Sequence, residues 1–379
     1  MPRTYVMGDP QAPFAKVREV LDRHGLLAGD RLAPDVRLIS IGDHFDYDFR
    51  DPTTCAREGL ALLRWLASHD PGQVTLLLGN HDAARVMELA TITDETFAAA
   101  RALAAVIAQA PHAGQRATEP ADEPAEAREE ARARARAEFE AAYPTLPAPG
   151  VIGRDYASFT TEQRDLVIEL LLAGRFRLAT TGVLADGRAA LLTHAGVTTR
   201  ELALLGEPTL CEPAAIAALL EARLSRAIDE VRDPWQRGER APLSLAPLHL
   251  RGEDGAEGGG LLYHRPSDPA RSAGDPRAAI GSARPRRFDP RTLPVGLTQV
   301  VGHTGHAKCT EELAAWATDA AVARKHGGIR TLRVTERALC YDLGVAAPAE
   351  GAADLILIDP ELRRVPANDV ALLPLARGA

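Results

Sequence analysis

Five short apolar stretches of this sequence each end in residues that can bind a metal or move a proton. Residues 74–82 show the pattern best: Gly79 stops a run of strand-forming residues, and Asn80, His81 and Asp82 follow. Such a strand places its polar residues beyond the carboxyl edge of a sheet, where open α/β sheets have their active sites. The other four stretches lead in the same way to Asp9 and Gln11, to Asp43 and Asp46, to His194, and to His303 and His306.

The donors at these strand ends are oxygen and nitrogen atoms, with no thiolate among them. Such a set suits a hard or borderline ion such as Mn²⁺, Fe²⁺ or Zn²⁺. Any one Asp or Asn after a strand is explained equally well as the cap of a following helix. All five together, in one orientation, favour a shared metal site.

The order of elements predicts an α/β fold. Residues 3–82 alternate strands with helices expected at 15–24 and 52–68, which indicates a parallel sheet with right-handed crossovers. Asp186 and Gly187 lie between two apolar runs, 176–183 and 188–193, and predict a hairpin. Residues 328–358 are expected to close an antiparallel part.

We expect one domain over residues 1–379 with two insertions. Residues 111–150 include a highly charged helix with almost no apolar face, which is expected to be solvated as a lid or arm or to bind a partner. Residues 236–294 are rich in Gly, Pro and Arg and are too long for an ordinary loop, so we expect a flexible segment and possible lid near the site.

The bulk properties exclude some partners. A formal charge of −8 predicts no general affinity for nucleic acid or for an anionic membrane surface. No apolar run approaches the ~18 residues of a membrane span, and the N-terminus predicts no signal peptide. The four separated cysteines are expected to be buried thiols in a reducing cytoplasm. The abundance of Ala and Arg indicates a bacterial source.

In order and spacing, the motifs Gly-Asp-x-Gln, Gly-Asp-x-x-Asp, Gly-Asn-His-Asp, Thr-His-Ala-Gly and Gly-His-Thr resemble the signature of the calcineurin-like metallophosphoesterases. Within that superfamily the motifs look nearest to the phosphoprotein phosphatase and diadenosine tetraphosphatase branch. The resemblance implies a four-layer α/β/β/α sandwich with helical and loop insertions. It also implies hydrolysis of phosphate esters by a hydroxide that bridges two metal ions.

The resemblance also implies roles for individual residues. His81 would donate a proton to the leaving oxygen, and Asp46 would orient its imidazole. Gln11 departs from the commoner histidine and favours Mn²⁺, with Fe²⁺, Zn²⁺ or Mg²⁺ as alternatives. Six residues would hold two divalent ions, with Asp43 between them: Asp9, Gln11, Asp43, Asn80, His194 and His303.

Substrate binding departs from the family pattern. Tyr47 stands where the phosphoprotein phosphatases have a phosphate-binding arginine, so we expect Arg85 or Arg265 to supply the guanidinium. The expected substrate is a phosphorylated small molecule, a nucleotide or a phosphoprotein. Two alternatives stay open: a dinucleoside polyphosphatase or phosphodiesterase, and an inactive metal-binding scaffold whose insertions bind a partner.

Overall fold

The computed structural model describes residues 2–108, 125–272, 282–324 and 326–376, and its strands build two large sheets. In chain order the strands are β1 Arg3–Met7, β2 Leu27–Ala28, β3 Arg31–Leu32, β4 Val36–Ser40, β5 Val74–Leu77, β6 Phe176–Arg177, β7 Ala179–Val183, β8 Ala189–Thr193, β9 His249–Leu250, β10 Gly259–Gly260, β11 Arg265–Pro266, β12 Arg287–Phe288, β13 Thr298–Val301, β14 Arg330–Val334, β15 Leu339–Leu343, β16 Ala353–Leu357 and β17 Leu373–Pro374.

The helices carry most of the remaining chain. They are α1 Phe14–Arg23, α2 Pro52–Ala67, α3 Asn80–Ala84, α4 Asp94–Ala108, α5 Ala125–Ala142, α6 Thr161–Leu172, α7 Thr199–Leu204, α8 Pro213–Gln236, α9 Pro269–Ser272, α10 His306–Glu312 and α11 Asp319–Ala323. A π-helical turn spans Val151–Asp155. Short 3-10 turns lie at Pro290–Thr292, Ala314–Trp316, Leu362–Arg364 and Ala367–Asp369.

The first sheet has the order β17-β1-β4-β5-β6 and is parallel apart from the edge strand β17. Its register places Tyr5 beside Leu38 and Leu38 beside Val74. The parallel direction predicted for residues 3–82 is therefore confirmed. As a result, the loops that carry Asp9, Asp43 and Asn80 leave the sheet at the same edge.

The second sheet has the order β15-β14-β16-β13-β8-β7 and is mixed. Strand β13 runs parallel to both β8 and β16, while β7, β14 and β15 pair antiparallel to their neighbours. The Asp186–Gly187 turn joins β7 to β8, with Gly187 at φ +89°, as the hairpin signal predicts. The ends of β8 and β13 bring His194 and His303 to one edge.

The two sheets share a buried core. Alternate residues of each strand face opposite sides, because successive strand side chains point in opposite directions. Residues facing the shared core include Val6, Ile39 and Leu77 of the first sheet and Leu192, Val300 and Ile356 of the second. Their neighbours Met7, Leu38, Leu76 and Leu191 pack on one helical layer, and Val301, Leu355 and Leu357 pack near α10 and α11.

Helix ends follow local sequence signals. Asp51 accepts a hydrogen bond from the Thr54 N–H at 3.1 Å, and Pro52 opens α2, because a proline at the first turn loses no helical hydrogen bond. Thr160 and Gln163 form a capping box at the start of α6. These caps explain why α2 begins at the predicted Pro52 and why α6 begins at Thr161.

Three elements differ from expectation. The run 176–183 is divided: β6 adds to the first sheet and β7 to the second, because the chain crosses between the sheets at Leu178. The sequence also predicts one helix from residue 83 to about residue 110 and another over residues 310–325. The first is broken between α3 and α4, and residues 306–323 form α10, a 3-10 turn and α11. In both cases the apolar residues are spaced as in one long helix, but they are distributed over shorter helices.

The charged helix was predicted without an apolar face, and this is wrong for its C-terminal half. Phe139 and Ala135 on α5 are buried and join a cluster with Phe97, Ala100 and Ala104 of α4. Burial of a phenylalanine stabilises such packing by roughly 1.5–3 kcal/mol. The helix therefore packs against its neighbour. Residues 111–124 of the expected insertion lie outside the described residues.

The Gly- and Pro-rich segment is packed in its described parts, in contrast to the flexible segment predicted. Leu245, Leu248, Leu261 and Tyr263 are each no more than 3% exposed. Residues 273–281 lie outside the described residues. The prediction failed because the apolar residues of this segment are sparse and lack helical or strand spacing, so their burial is visible only in three dimensions.

The cysteine prediction is half correct. Cys55 and Cys309 are buried free thiols, whereas Cys211 and Cys340 are exposed. None of the helices in the described parts of the chain is long and apolar enough to cross a membrane.

Candidate metal and catalytic centre

Three of the predicted metal ligands meet at the common edge of the sheets. Donor atoms of Asp43, His194 and His303 all lie within 4.8 Å of one another, and all three residues are buried. The two imidazole rings have centroids 5.0 Å apart. A carboxylate with two imidazoles is a donor set that divalent Mn, Fe or Zn binds.

Hydrogen bonds to backbone carbonyls set the tautomers of the two histidines. His194 Nδ1 lies 2.9 Å from the carbonyl oxygen of Ile41 and must donate to it, which leaves Nε2 with a lone pair. That Nε2 faces Asn80 Oδ1 at 3.1 Å and Asp43 Oδ1 at 3.5 Å. Three acceptors facing one another repel unless a cation lies among them, so the donor set fits a metal ion.

His303 links two parts of the cluster. Its Nε2 donates to the carbonyl oxygen of Tyr263 at 2.9 Å, which leaves Nδ1 free as a ligand. Its backbone N–H donates to the Asp9 carboxylate at 3.0 and 2.9 Å. Burial, followed by the charges of Asp359 and Asp43, raises the pKa of Asp9 well above its ordinary value. A bound cation would relieve that repulsion.

The remaining predicted ligand, Gln11, is half-buried. Its amide nitrogen donates to the carbonyl oxygen of Phe45 at 3.3 Å, so its Oε1 stays free to bind an ion. Two glycines make room for the carboxylates. A Cβ at Gly302 would lie 2.0 Å from Asp9 Oδ1, and one at Gly79 would lie 2.2 Å from Asp43 Oδ1.

His81 lies beside this cluster and contacts carboxylates on two sides. Its Nδ1 donates to Asp46 Oδ2 at 2.9 Å, while Nε2 is 3.8 Å from Asp43 Oδ2, beyond hydrogen-bond distance. Burial lowers the pKa of His81, but the Asp43 charge and the Asp46 hydrogen bond outweigh it and raise that pKa to about 9. Without a metal ion at Asp43 the ring is therefore protonated at neutral pH, and its Nε2–H has no hydrogen bond to Asp43.

Asp46 is the centre of a buried network. Its Oδ1 accepts from the N–H of Ser158 at 2.9 Å and from the Ser158 hydroxyl at 2.6 Å. Its Oδ2 accepts from Arg85 at 2.6 Å as well as from His81. Burial acts to raise the pKa of Asp46, but Arg85 and His81 outweigh it and hold that pKa far below its ordinary value. The carboxylate is permanently charged and fixed.

The structure does not support Arg85 as a substrate-binding residue. Its side chain is fully buried, pairs with Asp46, donates to the His81 carbonyl oxygen at 2.8 Å and lies 4.6 Å from the Phe45 ring centroid. No part of it is left for a substrate. Three residues after Asp82 the chain is still within the turn that follows α3, and this turn directs the side chain inward.

Arg265, the second predicted substrate-binding residue, does lie near the metal ligands. Its guanidinium carbon is 5.5 Å from the centroid of the Tyr263 ring, and that ring is 5.7 Å from the His303 ring. After burial, the charge of Arg265 is the main cause that lowers the pKa of His303. His306, by contrast, donates to the Gly328 carbonyl oxygen at 2.9 Å and is separate from the cluster.

Sequence reasoning missed several residues of the centre. Tyr156 packs edge-on against His81 at 5.7 Å, and Ser158 binds Asp46; no motif marks either residue. Asp359 is 7% exposed and follows β16 at the same edge. The apolar run before Asp359 has the same strand-then-carboxylate pattern as the other five, so that signal was present in the sequence.

Three residues of the centre adopt backbone angles that are unfavourable for side chains other than glycine. Asp43, Asp46 and His303 have φ values of +59°, +62° and +61°. Each such residue costs of order 1 kcal/mol and persists only where surrounding contacts hold it. The hydrogen bonds to Asp43, Asp46 and Asp9 supply those contacts.

Comparison with known families gives one match. Residues 2–117 match the family model described as calcineurin-like phosphoesterase. A search of curated proteins gave no match to this chain. The matched region contains Asp9, Gln11, Asp43, Asp46, Asn80 and His81, while His194, His303 and Arg265 lie outside it.

Proposed function

Since residues 2–117 match the calcineurin-like phosphoesterase family, whose members hydrolyse phosphoric esters with the help of metal ions, we propose that this chain is a phosphatase acting through two divalent ions at the Asp43 cluster. The observation that carries the proposal is the convergence of His194 Nε2, Asn80 Oδ1 and Asp43 Oδ1. With His194 neutral, all three atoms are acceptors, and such a group is stabilised by a cation among them.

The residues divide into two sets around Asp43. Asn80, His194 and His303 would hold one ion, and Asp9 and Gln11 would hold the other, with Asp43 contributing to both sites. When bound, the two ions neutralise the phosphate oxygens and supply a nucleophile from water. Because Gln11 contributes a neutral carbonyl oxygen in place of an imidazole, we propose Mn²⁺ as the preferred ion.

His81 donates a proton to the leaving oxygen. Its Nδ1 is held by Asp46, and its free Nε2–H points beside Asp43, next to where the ester must lie. A general acid in such a place contributes roughly 10²–10⁴ in rate. Asp46 keeps the ring oriented and cationic, while Arg85 and Ser158 hold Asp46 in turn.

Arg265 binds the phosphate. Arg265 and Arg286 both lie against the Tyr263 ring and are both partly exposed, but Arg286 pairs with Glu257 and Arg265 does not pair with a carboxylate in the described part of the chain. A guanidinium forms charge-assisted hydrogen bonds with phosphate oxygens. Arg265 therefore has the phosphate-binding role for which the sequence predicts either Arg85 or Arg265.

We infer a four-layer α/β/β/α arrangement for the described residues, because each sheet faces the shared core on one side and helices on the other. We also propose that the residues added by the two insertions, 111–150 and 236–294, belong to one domain with the rest. A reducing cytoplasm, in a bacterium, is the setting that suits the free thiols.

The test is hydrolysis of p-nitrophenyl phosphate by the purified protein after removal of metal with a chelator. We expect activity to be lost and to return with Mn²⁺. The variant His303→Asn should lose bound metal and activity together, whereas His24→Asn, whose ring contacts Val370 outside the centre, should retain both. Full activity in the absence of any divalent ion would contradict the proposal.

A further inference from the structure

Two cations near the metal ligands have no anionic partner among the residues that the structure describes. Arg265 contacts the Tyr263 ring, but its guanidinium makes no hydrogen bond or ion pair, and its Nε is fully buried. Lys308, five residues after His303, is exposed on α10 and likewise makes no hydrogen bond or ion pair. Beside a centre that is proposed to act on phosphate esters, such cations are available to bind an anion of the substrate.

Two tethers place the Arg265 strand alongside α10. On one side of Arg265, the Tyr263 carbonyl oxygen accepts from His303 Nε2 at 2.9 Å. On the other side, the Ser267 hydroxyl donates to Glu312 Oε2 at 2.7 Å, and the Asp268 N–H donates to the Glu312 carbonyl oxygen at 3.0 Å. Residues 263–268 therefore run beside residues 303–312, with Arg265 and Lys308 in the middle of each segment.

The neighbouring arginines differ from Arg265 and Lys308 because each of them forms an ion pair. Arg287 pairs with Glu312 at 2.7 Å, Arg154 pairs with Asp155 at 2.7 Å, and Arg286 pairs with Glu257. The carboxylate of Glu312, one helical turn after Lys308, is occupied by Arg287 and Ser267. The carboxylates of Glu312, Asp155 and Glu257 are thus used by other groups, and neither Arg265 nor Lys308 forms an ion pair with them.

The electrostatics agree with this placement. The charge of Arg265, followed by desolvation and the charge of Arg286, lowers the pKa of Lys308 to about 8. The ammonium group is therefore close to other cations and still predominantly protonated at neutral pH. Binding of an anion between these groups would relieve their mutual repulsion.

We propose that Lys308 forms a second anion subsite, beyond the phosphate held by Arg265, and that it binds a phosphate carried by the leaving group of the substrate. This inference rests on the proposed function and narrows its substrate class to esters or anhydrides with a phosphorylated leaving group. Hydrolysis breaks the bond between the transferred phosphorus and the leaving oxygen. Water supplies the new oxygen, and the leaving oxygen takes a proton.

The experiment compares two ligands that differ by one phosphate. Binding of AMP and of the non-hydrolysable α,β-methylene-ADP to the Mn²⁺-loaded protein is measured by calorimetry for wild type, Lys308→Gln and Lys308→Arg. The control is Arg37→Gln, which removes one positive charge at the start of β4, at the opposite end of the sheet. Binding is measured without turnover, so its outcome is independent of whether the protein hydrolyses these compounds.

We expect Lys308→Gln to weaken binding of the diphosphate analogue about tenfold, as for loss of a hydrogen bond to a charged group, and to leave AMP binding unchanged. Lys308→Arg should restore most of the loss, and Arg37→Gln should affect neither ligand. Equal losses for both ligands, or no loss for either, would overturn the second subsite. Failure of the proposed function itself would appear separately, as absence of metal-dependent hydrolysis in the wild type.

Discussion

The Asp82 carboxylate and the His44 imidazole join two strand-end motifs by a buried hydrogen bond of 3.0 Å. Asp82 also accepts from the backbone N–H groups of Asp43 at 2.9 Å and Gly79 at 3.1 Å. His44 Nε2 in turn contacts the Ser40 hydroxyl at 2.9 Å. Because Asp43 has a positive φ, Asp82 holds the shared metal ligand in a conformation that it would not adopt freely.

Replacing Asp82 should therefore destabilise the protein. Asp82→Asn leaves an amide among donors that need a carboxylate, and we expect a loss of about 2 kcal/mol in the free energy of unfolding, measured with urea on metal-free protein. Asp22→Asn, on the exposed side of α1, is the control and should be neutral. An Asp82→Asn protein as stable as wild type would show that the network does not hold the motif.

Replacing Asp43 should remove metal. Asp43→Asn takes away the carboxylate that both ions share, so bound Mn²⁺ measured by elemental analysis should fall from two equivalents to one or none, with loss of activity. The wild type is expected to bind two equivalents. A wild type that binds at most one tightly held ion under saturating Mn²⁺ would contradict the two-ion proposal.

Replacing His81 should separate chemistry from metal binding. His81→Asn removes the proton donor but no predicted ligand, so metal content should stay constant while kcat falls roughly a hundredfold or more. The fall should be largest for substrates with poor leaving groups, which depend most on protonation. Loss of metal from this variant would instead make His81 a ligand.

Ser158 should affect activity through Asp46. Ser158→Ala removes the 2.6 Å hydroxyl hydrogen bond but keeps the backbone N–H bond at 2.9 Å. We expect kcat to fall about tenfold or less, at constant metal content, because the His81 ring is held less firmly. Ser68→Ala, at the exposed end of α2, is the matched control, and Ser158→Thr should retain part of the activity. An unchanged kcat in Ser158→Ala would contradict the role of Ser158 in holding Asp46.

Glu88 should make stability depend on pH. Its buried carboxyl accepts from the Gly252 N–H at 2.9 Å, and burial raises its pKa from 4.5 to about 7. The folded state therefore holds a proton that the unfolded state releases above pH 4.5, so Glu88 costs stability progressively as pH rises from 4.5 to 7. Below 4.5 both states are protonated and the effect vanishes.

The variant Glu88→Gln should show this effect directly. Relative to wild type, its free energy of unfolding should rise by about 3 kcal/mol between pH 4.5 and pH 8, because the amide needs no proton. Glu140→Gln, on the exposed face of α5, should show no such trend. If the free energy of unfolding of Glu88→Gln relative to wild type does not change with pH, the pKa of Glu88 in the folded protein has its ordinary value.

The local pattern of the chain determined the strands, their direction and the polar residues at their ends. An apolar run stopped by glycine is a short-range signal, and parallel strands necessarily bring their carboxyl ends to one edge. For that reason Asp9, Asp43, Asn80, His194 and His303 were predictable as neighbours. Donor types likewise predicted a metal, because ligand chemistry is a property of each residue.

Only the tertiary structure decided what surrounds those residues. Asp46 and Ser158 are 112 positions apart, and no period or motif relates them. Arg85 turned inward because Asp46 and the Phe45 ring lie there, and the charged helix α5 gained a buried side from α4. Burial and ion pairing depend on which other segments lie nearby in the folded protein. For this reason Arg85, which the sequence predicts to bind substrate, is structural, and Lys308 becomes the candidate for binding a second anion of the substrate.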